Sequence, residues 1–212
     1  MAGEYDFEEQ ERIAELKAWW DDNRWLVLGA VAAALLAIAG WRAWQYWSAQ
    51  QADDAAAMFT PVAEAAKTAD PKKVVDAAKP LIEKHPGSFP ASEAALLAAK
   101  VAFDAGNLPE ARKQLEWAMN HGVEVHRGVA RLRLAAVLLE EKKYEEALKA
   151  LDGNKDEAFT ALVADMRGDI MLAQGRMDEA RAAYKLAAEK ADPRSPAKGI
   201  AETKLNALGG SQ

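Results

Sequence analysis

Between Arg24 and Arg42 the chain reads WLVLGAVAAALLAIAGW, seventeen residues without a charge. No other feature restricts the possible structures as much. As a helix these residues span about 25 Å, and continuation to Trp47 with Arg42 snorkelling gives about 34 Å, enough for a hydrocarbon core of roughly 30 Å. Leu26, Val27, Leu28, Val31, Leu35, Leu36 and Ile38 together favour insertion by about 2 to 4 kcal/mol. Six of the seven tryptophans lie between Trp19 and Trp47, flanking the run as amphipathic rings do at headgroup level. A cleaved signal peptide starts with a short basic region, whereas here the preceding region is long and acidic. The sequence therefore reads as one retained transmembrane helix over 25–47, with membrane lipid as its surroundings. Gly29, Ala33, Ala37 and Gly40 form a small-residue stripe, a pattern that arises easily in any alanine-rich anchor.

Arg12, Lys17 and Arg24 precede the span, and only Arg42 follows it before Lys67. The positive-inside rule then keeps the N-terminus in the cytoplasm and puts the C-terminal part outside, in a bacterium the periplasm. Residues 1–24 read as an acidic cytoplasmic stub, with eight acids against three bases. In FEEQERIAELKAWW (7–20), Ile13, Leu16 and Trp20 recur at helical spacing, which predicts a short amphipathic helix that suits a basic protein surface better than anionic lipid. Asp21, Asp22 and Asn23 are cap-type residues just before the apolar run.

Beyond the span, 48–212 carries a repeat. Alanine makes up 48 of the 212 residues, against 8 prolines and 13 glycines, which favours closely packed helices. Ala77, Ala111, Ala147 and Ala180 are separated by 34, 36 and 33 residues, the tetratricopeptide interval. An apolar residue stands three places before each (Val74, Leu108, Tyr144, Met177) and four places after (Leu81, Leu115, Leu151, Tyr184). Gly106 and Gly175 fall in the turns between the two helices of a pair, Lys142 replaces glycine in the third, and Gly168 takes the small position where paired helices touch. The hairpin over 53–84 is the weakest, because Pro61 and Pro80 interrupt it, and the alternative is that its first helix simply prolongs the membrane helix. Residues 197–208, after Pro193 and Pro196, suit a helix that caps the open end of the stack. The expected fold is all-α: a single N-terminal transmembrane helix followed by a tetratricopeptide-like helical-hairpin solenoid.

A net charge of −6 and a pI near 5.2 argue against nucleic acid as a partner. Without cysteine there is no thiol nucleophile, disulfide or Cys-ligated metal. The three histidines, His85, His121 and His126, are not spaced as metal ligands, and no Walker loop, dinucleotide glycine pattern or nucleophile elbow occurs. Arg127 and Arg131 are one turn apart, an arrangement that is more often solvated or ion-paired than ligand-binding. No enzymatic activity, catalytic residue, cofactor or metal is expected.

Stacked hairpins make a curved surface that binds proteins or peptides. In the usual register the first helix of each pair lines the concave side, which makes Leu96, Lys100, Phe103, Leu132, Ala136, Leu139, Leu162, Asp165, Asp169 and Leu172 the candidate protein-binding groove. The competing role for many of these residues is packing against neighbouring helices.

The acidic EEQERIAELKAWWDDN at 8–23, GWRAWQYW at 40–47, LRLAAVLLEEKKYEEALKALD at 132–152 and ALVADMRGDIMLAQG at 161–175 resemble the YfgM-like family, the ancillary subunit of the SecYEG translocon in Gram-negative inner membranes. The resemblance implies a single-pass inner-membrane protein with a periplasmic tetratricopeptide-like domain working beside the translocon. It implies as partners the SecYEG translocon, a membrane-anchored periplasmic prolyl-isomerase-like chaperone and translocating client chains, handed on to periplasmic chaperones. The alternative is a scaffold that holds an envelope complex together without touching clients.

Overall fold

The structure, a computed structural model, describes residues 3–209. It divides into two compact units, Met1–Gln51 and Ala52–Gln212. The first unit belongs to helix α1, Gly3–Ala66. The large apolar residues of the uncharged run are exposed: Leu26 is 72 % exposed, Leu36 74 % and Ile38 59 %. A soluble core helix of this composition would be buried, and among the described residues this is the one helix long and apolar enough to cross a membrane. The capping expected at Asp21, Asp22 and Asn23 is corrected. The helix runs through them, and the Asn23 side-chain amide instead donates to the Trp19 carbonyl one turn back (2.8 Å).

The second unit begins with the last turns of α1 and continues through α2 (Pro71–Lys84), α3 (Phe89–Asp104), α4 (Leu108–His121), α5 (Glu124–Glu140), α6 (Tyr144–Leu151), a 3₁₀ turn (Glu157–Phe159), α7 (Thr160–Ala173), α8 (Met177–Lys190) and α9 (Pro196–Ala207). From α2 to α9 each helix packs on its neighbours in the chain, α5 also packs on α3 and α7, and Ala55 and Val62 at the end of α1 share a buried cluster with Val74, Ala78 and Leu81 of α2. That is the layering of stacked hairpins, in which α3, α5 and α7 are first helices and α2, α4, α6 and α8 second helices.

Four turns build the hairpins, each through one left-handed residue: Ala69 (φ 51°), Gly106 (74°), Lys142 (59°) and Gly175 (77°). The last three share a pair of backbone bonds. Gly106, Lys142 and Gly175 donate to the carbonyls of Phe103, Leu139 and Leu172, and the following residues donate to Ala102, Leu138 and Met171. This Schellman arrangement satisfies carbonyls left over at the helix end and needs positive φ. Asp70 and Asn107 then cap the next helix through their side chains, whereas α6 and α8 lack that bond and carry acids in the first turn instead.

These turns correct the repeat register. Four residues after each helix cap stand Val74, Ala111, Ala147 and Ala180, all 0 % exposed. The first hairpin thus uses Val74 where the others use alanine, and Ala77 is only half-buried while Ala78 is sealed. An alanine-rich segment offers several alanines near the right spacing, so spacing alone chose the wrong one. Pro61 and Pro80 do not interrupt the hairpin, since both lie inside helices.

One second helix is short. α6 has 8 residues where α2, α4 and α8 have 14. The segment after it folds back on α5: the Asn154 amide donates to the Gly128 carbonyl (3.2 Å) and the Phe159 ring covers Gly128. A Cβ on Gly128 would come within 2.4 Å of that ring. Gly168 serves the same purpose on α7, where a Cβ would lie 2.4 Å from the buried ring of Tyr184 on α8.

α9 closes the stack by a polar latch. Lys204 Nζ donates to Asp165 (2.7 Å) and to both oxygens of Asp169 (2.8 Å), and the Tyr184 hydroxyl donates to Asp169 (2.8 Å). Arg181 of α8 donates to the Leu208 carbonyl at the end of α9 (2.8 Å). Burial pulls the Lys204 ammonium down, but its carboxylate hydrogen bonds and charges outweigh that and hold it above its ordinary 10.5. Burial and the bond to Asp169 push the Tyr184 hydroxyl far above its ordinary 10.0.

The turns and the latch yield three expectations, read by thermal denaturation of the full chain in detergent. Lys142→Gly removes left-handed strain and stabilises by about 1 kcal/mol, roughly 2 to 4 °C. Gly168→Ala overpacks against Tyr184 and destabilises by about 1 to 3 kcal/mol. Lys204→Met strands two half-buried carboxylates at a cost of about 1 to 3 kcal/mol. Groups whose pKa is raised by folding contribute fully below their unfolded values and lose that contribution as pH rises. Melting temperature in the native chain therefore falls above about pH 10, and falls less in Lys204→Met.

Candidate functional site

The left-handed turn residues give a common ruler for the first helices. Three places before Gly106, Lys142 and Gly175 stand Phe103, Leu139 and Leu172; six places before, Lys100, Ala136 and Asp169; ten places before, Leu96, Leu132 and Asp165. Steps of three and four place each set on one helix face, so nine of the ten candidate groove residues fall into three matched rows. Leu162, thirteen places before Gly175, extends the α7 column by one more turn.

Burial divides these residues by task. Leu96 is 3 % exposed and belongs to the hydrophobic core with Ala99, Leu115 and Leu134, so its side chain serves packing. Leu132 and Leu139 are half-buried against that core, and Leu172 is half-buried on α7. Leu162 and Phe103 are 44 % and 37 % exposed. Asp165 and Asp169 are engaged by Lys204, which turns the α7 end of the face into a closed polar joint.

At the other end, Lys100, Phe103 and Ala136 come together with Ala99, Leu115 and Arg133 around a pocket of about 210 Å³. Lys100 pairs with Asp104 one turn along α3. Arg133 reaches from α5 to the Leu96 carbonyl of α3 (3.3 Å). Arg133 and Lys204 are the participants that sequence reasoning missed. Arg133 lies one residue off the predicted stripe, and Lys204 belongs to the capping helix, where spacing predicted cover but not charge pairing.

The remaining polar candidates are engaged by partners within the protein, some on a neighbouring helix and some on their own. His85 Nε2 lies 2.9 Å from Asp54, which also receives Lys84 (2.6 Å). These hydrogen bonds, Lys84's before His85's, hold the Asp54 carboxyl below its ordinary value. His126 is buried, facing Glu93 (3.3 Å) and the Phe89 ring (4.4 Å between centroids). His121 contacts the Trp117 carbonyl on its own helix (3.1 Å). Arg127 pairs with Glu124 (2.5 Å), while Arg131 packs against Gly153, so the two do not act as a pair. Among the described residues no group of three or more His, Asp or Glu is placed to hold a metal.

Comparison with known proteins bears on this architecture. The family described as "Tetratricopeptide repeat-like domain" matches residues 17–210. A Neisseria gonorrhoeae protein named ancillary SecYEG translocon subunit is 32 % identical over 95 % of this chain and 97 % of its own. The Escherichia coli protein of that name is 29 % identical over 94 % of this chain and 96 % of its own. Among solved structures, a chain of MamA from residue 41 to its end, from Desulfovibrio magneticus RS-1, superposes with a TM-score of 0.53 at 15 % identity, covering 74 % of this chain and 93 % of that one, a likeness of fold alone. With its repeat-like domain, apolar helix and near full-length similarity, the chain belongs to the tetratricopeptide repeat-like family that includes the ancillary SecYEG translocon subunits.

Proposed function

We propose that the protein is a membrane-tethered adaptor at the SecYEG translocon that binds translocating chains and assists their transfer to periplasmic chaperones. The observation that carries this reading is the pairing of one exposed apolar helix with a hairpin stack whose first-helix face keeps Phe103 and Leu162 accessible. The relatives' shared name supports the translocon as the place of action. Residues 25–47 anchor the chain in the inner membrane, residues 1–24 stay in the cytoplasm, and residues 48–212 lie in the periplasm. The excess of Lys and Arg before the span supports that orientation. Anchoring raises the effective concentration of the face near emerging polypeptide, so weak contacts suffice and no turnover is needed. A membrane-anchored periplasmic prolyl-isomerase-like chaperone fits as a neighbour in the same assembly.

Photo-crosslinking residues introduced at Phe103 and Leu162 in cells test the adaptor. Transient capture of many different newly exported proteins is the expected outcome. Capture of a single stoichiometric partner with no exported protein replaces the adaptor by a structural scaffold of an envelope complex. In spheroplasts, added protease is expected to digest residues 48–212 while leaving the stub intact, and protection of the repeat unit overturns the orientation.

A further inference from the structure

We infer that the pocket between α3 and α5 selects polypeptide segments in which an exposed apolar side chain lies within a few residues of Asp or Glu. The inference rests on the adaptor reading and specifies what the face prefers. Ala99, Phe103, Leu115 and Ala136 make the pocket apolar, and at about 210 Å³ it is smaller than the roughly 300 to 1,000 Å³ of sites for whole small molecules. That size suits one inserted side chain of an extended segment.

Charge supplies the selection. The two acids of the first-helix face, Asp165 and Asp169, are engaged by Lys204. Glu93, one turn beyond Leu96 on α3, faces His126. Asp104 faces Lys100 within its own helix. Arg133 remains at the pocket rim, exposed, and its one partner among the described residues is the neutral Leu96 carbonyl. A guanidinium has five donors in a fixed fork that matches a carboxylate, so most of its capacity is open to a ligand. An apolar group seated on Phe103 brings neighbouring residues of an extended chain past Arg133. A carboxylate there gains a charge-assisted hydrogen bond, and a lysine there is repelled.

The test uses the full chain in lipid nanodiscs and three fluorescein-labelled twelve-residue peptides. All three share one Leu-Phe core and carry Glu, Gln or Lys on both sides of it. The expected order is Glu tighter than Gln tighter than Lys, with steps of about three- to fivefold at low salt that shrink at high salt. Arg133→Gln is expected to bring the three peptides to similar affinity, Arg133→Glu to invert the order, and Phe103→Ser to weaken all three. Circular dichroism confirms that each variant is folded. Equal binding of the three peptides to the native chain, or an unchanged order in Arg133→Glu, overturns the selectivity and leaves the adaptor standing. Failure of every peptide to bind the native chain overturns both.

Discussion

Close approach of helices at small buried side chains is the constraint from which the rest of the repeat unit follows. Ala111, Ala147 and Ala180 are sealed where each second helix crosses its partner, and Ala78, Ala94, Ala95, Ala98 and Ala102 are sealed around the first two pairs. A methyl group there lets the backbones come near, and the larger residues one turn further on, Leu115, Leu151 and Tyr184, fill the space between layers. Alanine also costs no side-chain entropy in a helix. A core of alanines buries little apolar area per residue, so hairpins gain stability by stacking in series, and the end of the series needs a cover. α9 provides it through Lys204 and Arg181, with its buried Ala201 joining Ala164 and Ala187.

Cover and binding face are linked. The acids that gave the α7 end of the first-helix face its charge in the sequence are the ones the latch engages. The most accessible apolar side chains of the face are then Phe103 and Leu162. Beside Phe103, Lys100 is paired with Asp104 while Arg133 has no acidic partner among the described residues, so the open charge there is positive although the whole chain is acidic. Net charge is a property of composition, whereas the charge a ligand meets is what remains after internal pairing.

Legibility differed among the elements. The turns at Gly106 and Gly175 were readable because glycine advertises positive φ, and Lys142 was placed by its interval although its type gives no such sign. Ala69 takes the same conformation unannounced. Gly168 was readable as a contact point, and its partner proved to be Tyr184. The rows of groove residues followed from helical spacing, but spacing does not distinguish Leu96, sealed at 3 %, from Leu162, exposed at 44 %. That difference depends on how much of the neighbouring layer covers each residue.

By itself the sequence determined what local chemistry decides: an uncharged run long enough for a bilayer, helices from alanine, and a hairpin interval punctuated by glycine. Each of these depends on the residue and its near neighbours, so it can be read along the chain. Tertiary structure decided that Val74 and not Ala77 takes the first crossing, that Lys204 closes on Asp165 and Asp169, and that Arg133 stays open beside Phe103. Those outcomes turn on the rotation of one helix against another, and a rotation of about 100° per residue moves a side chain from core to solvent without changing the pattern's period.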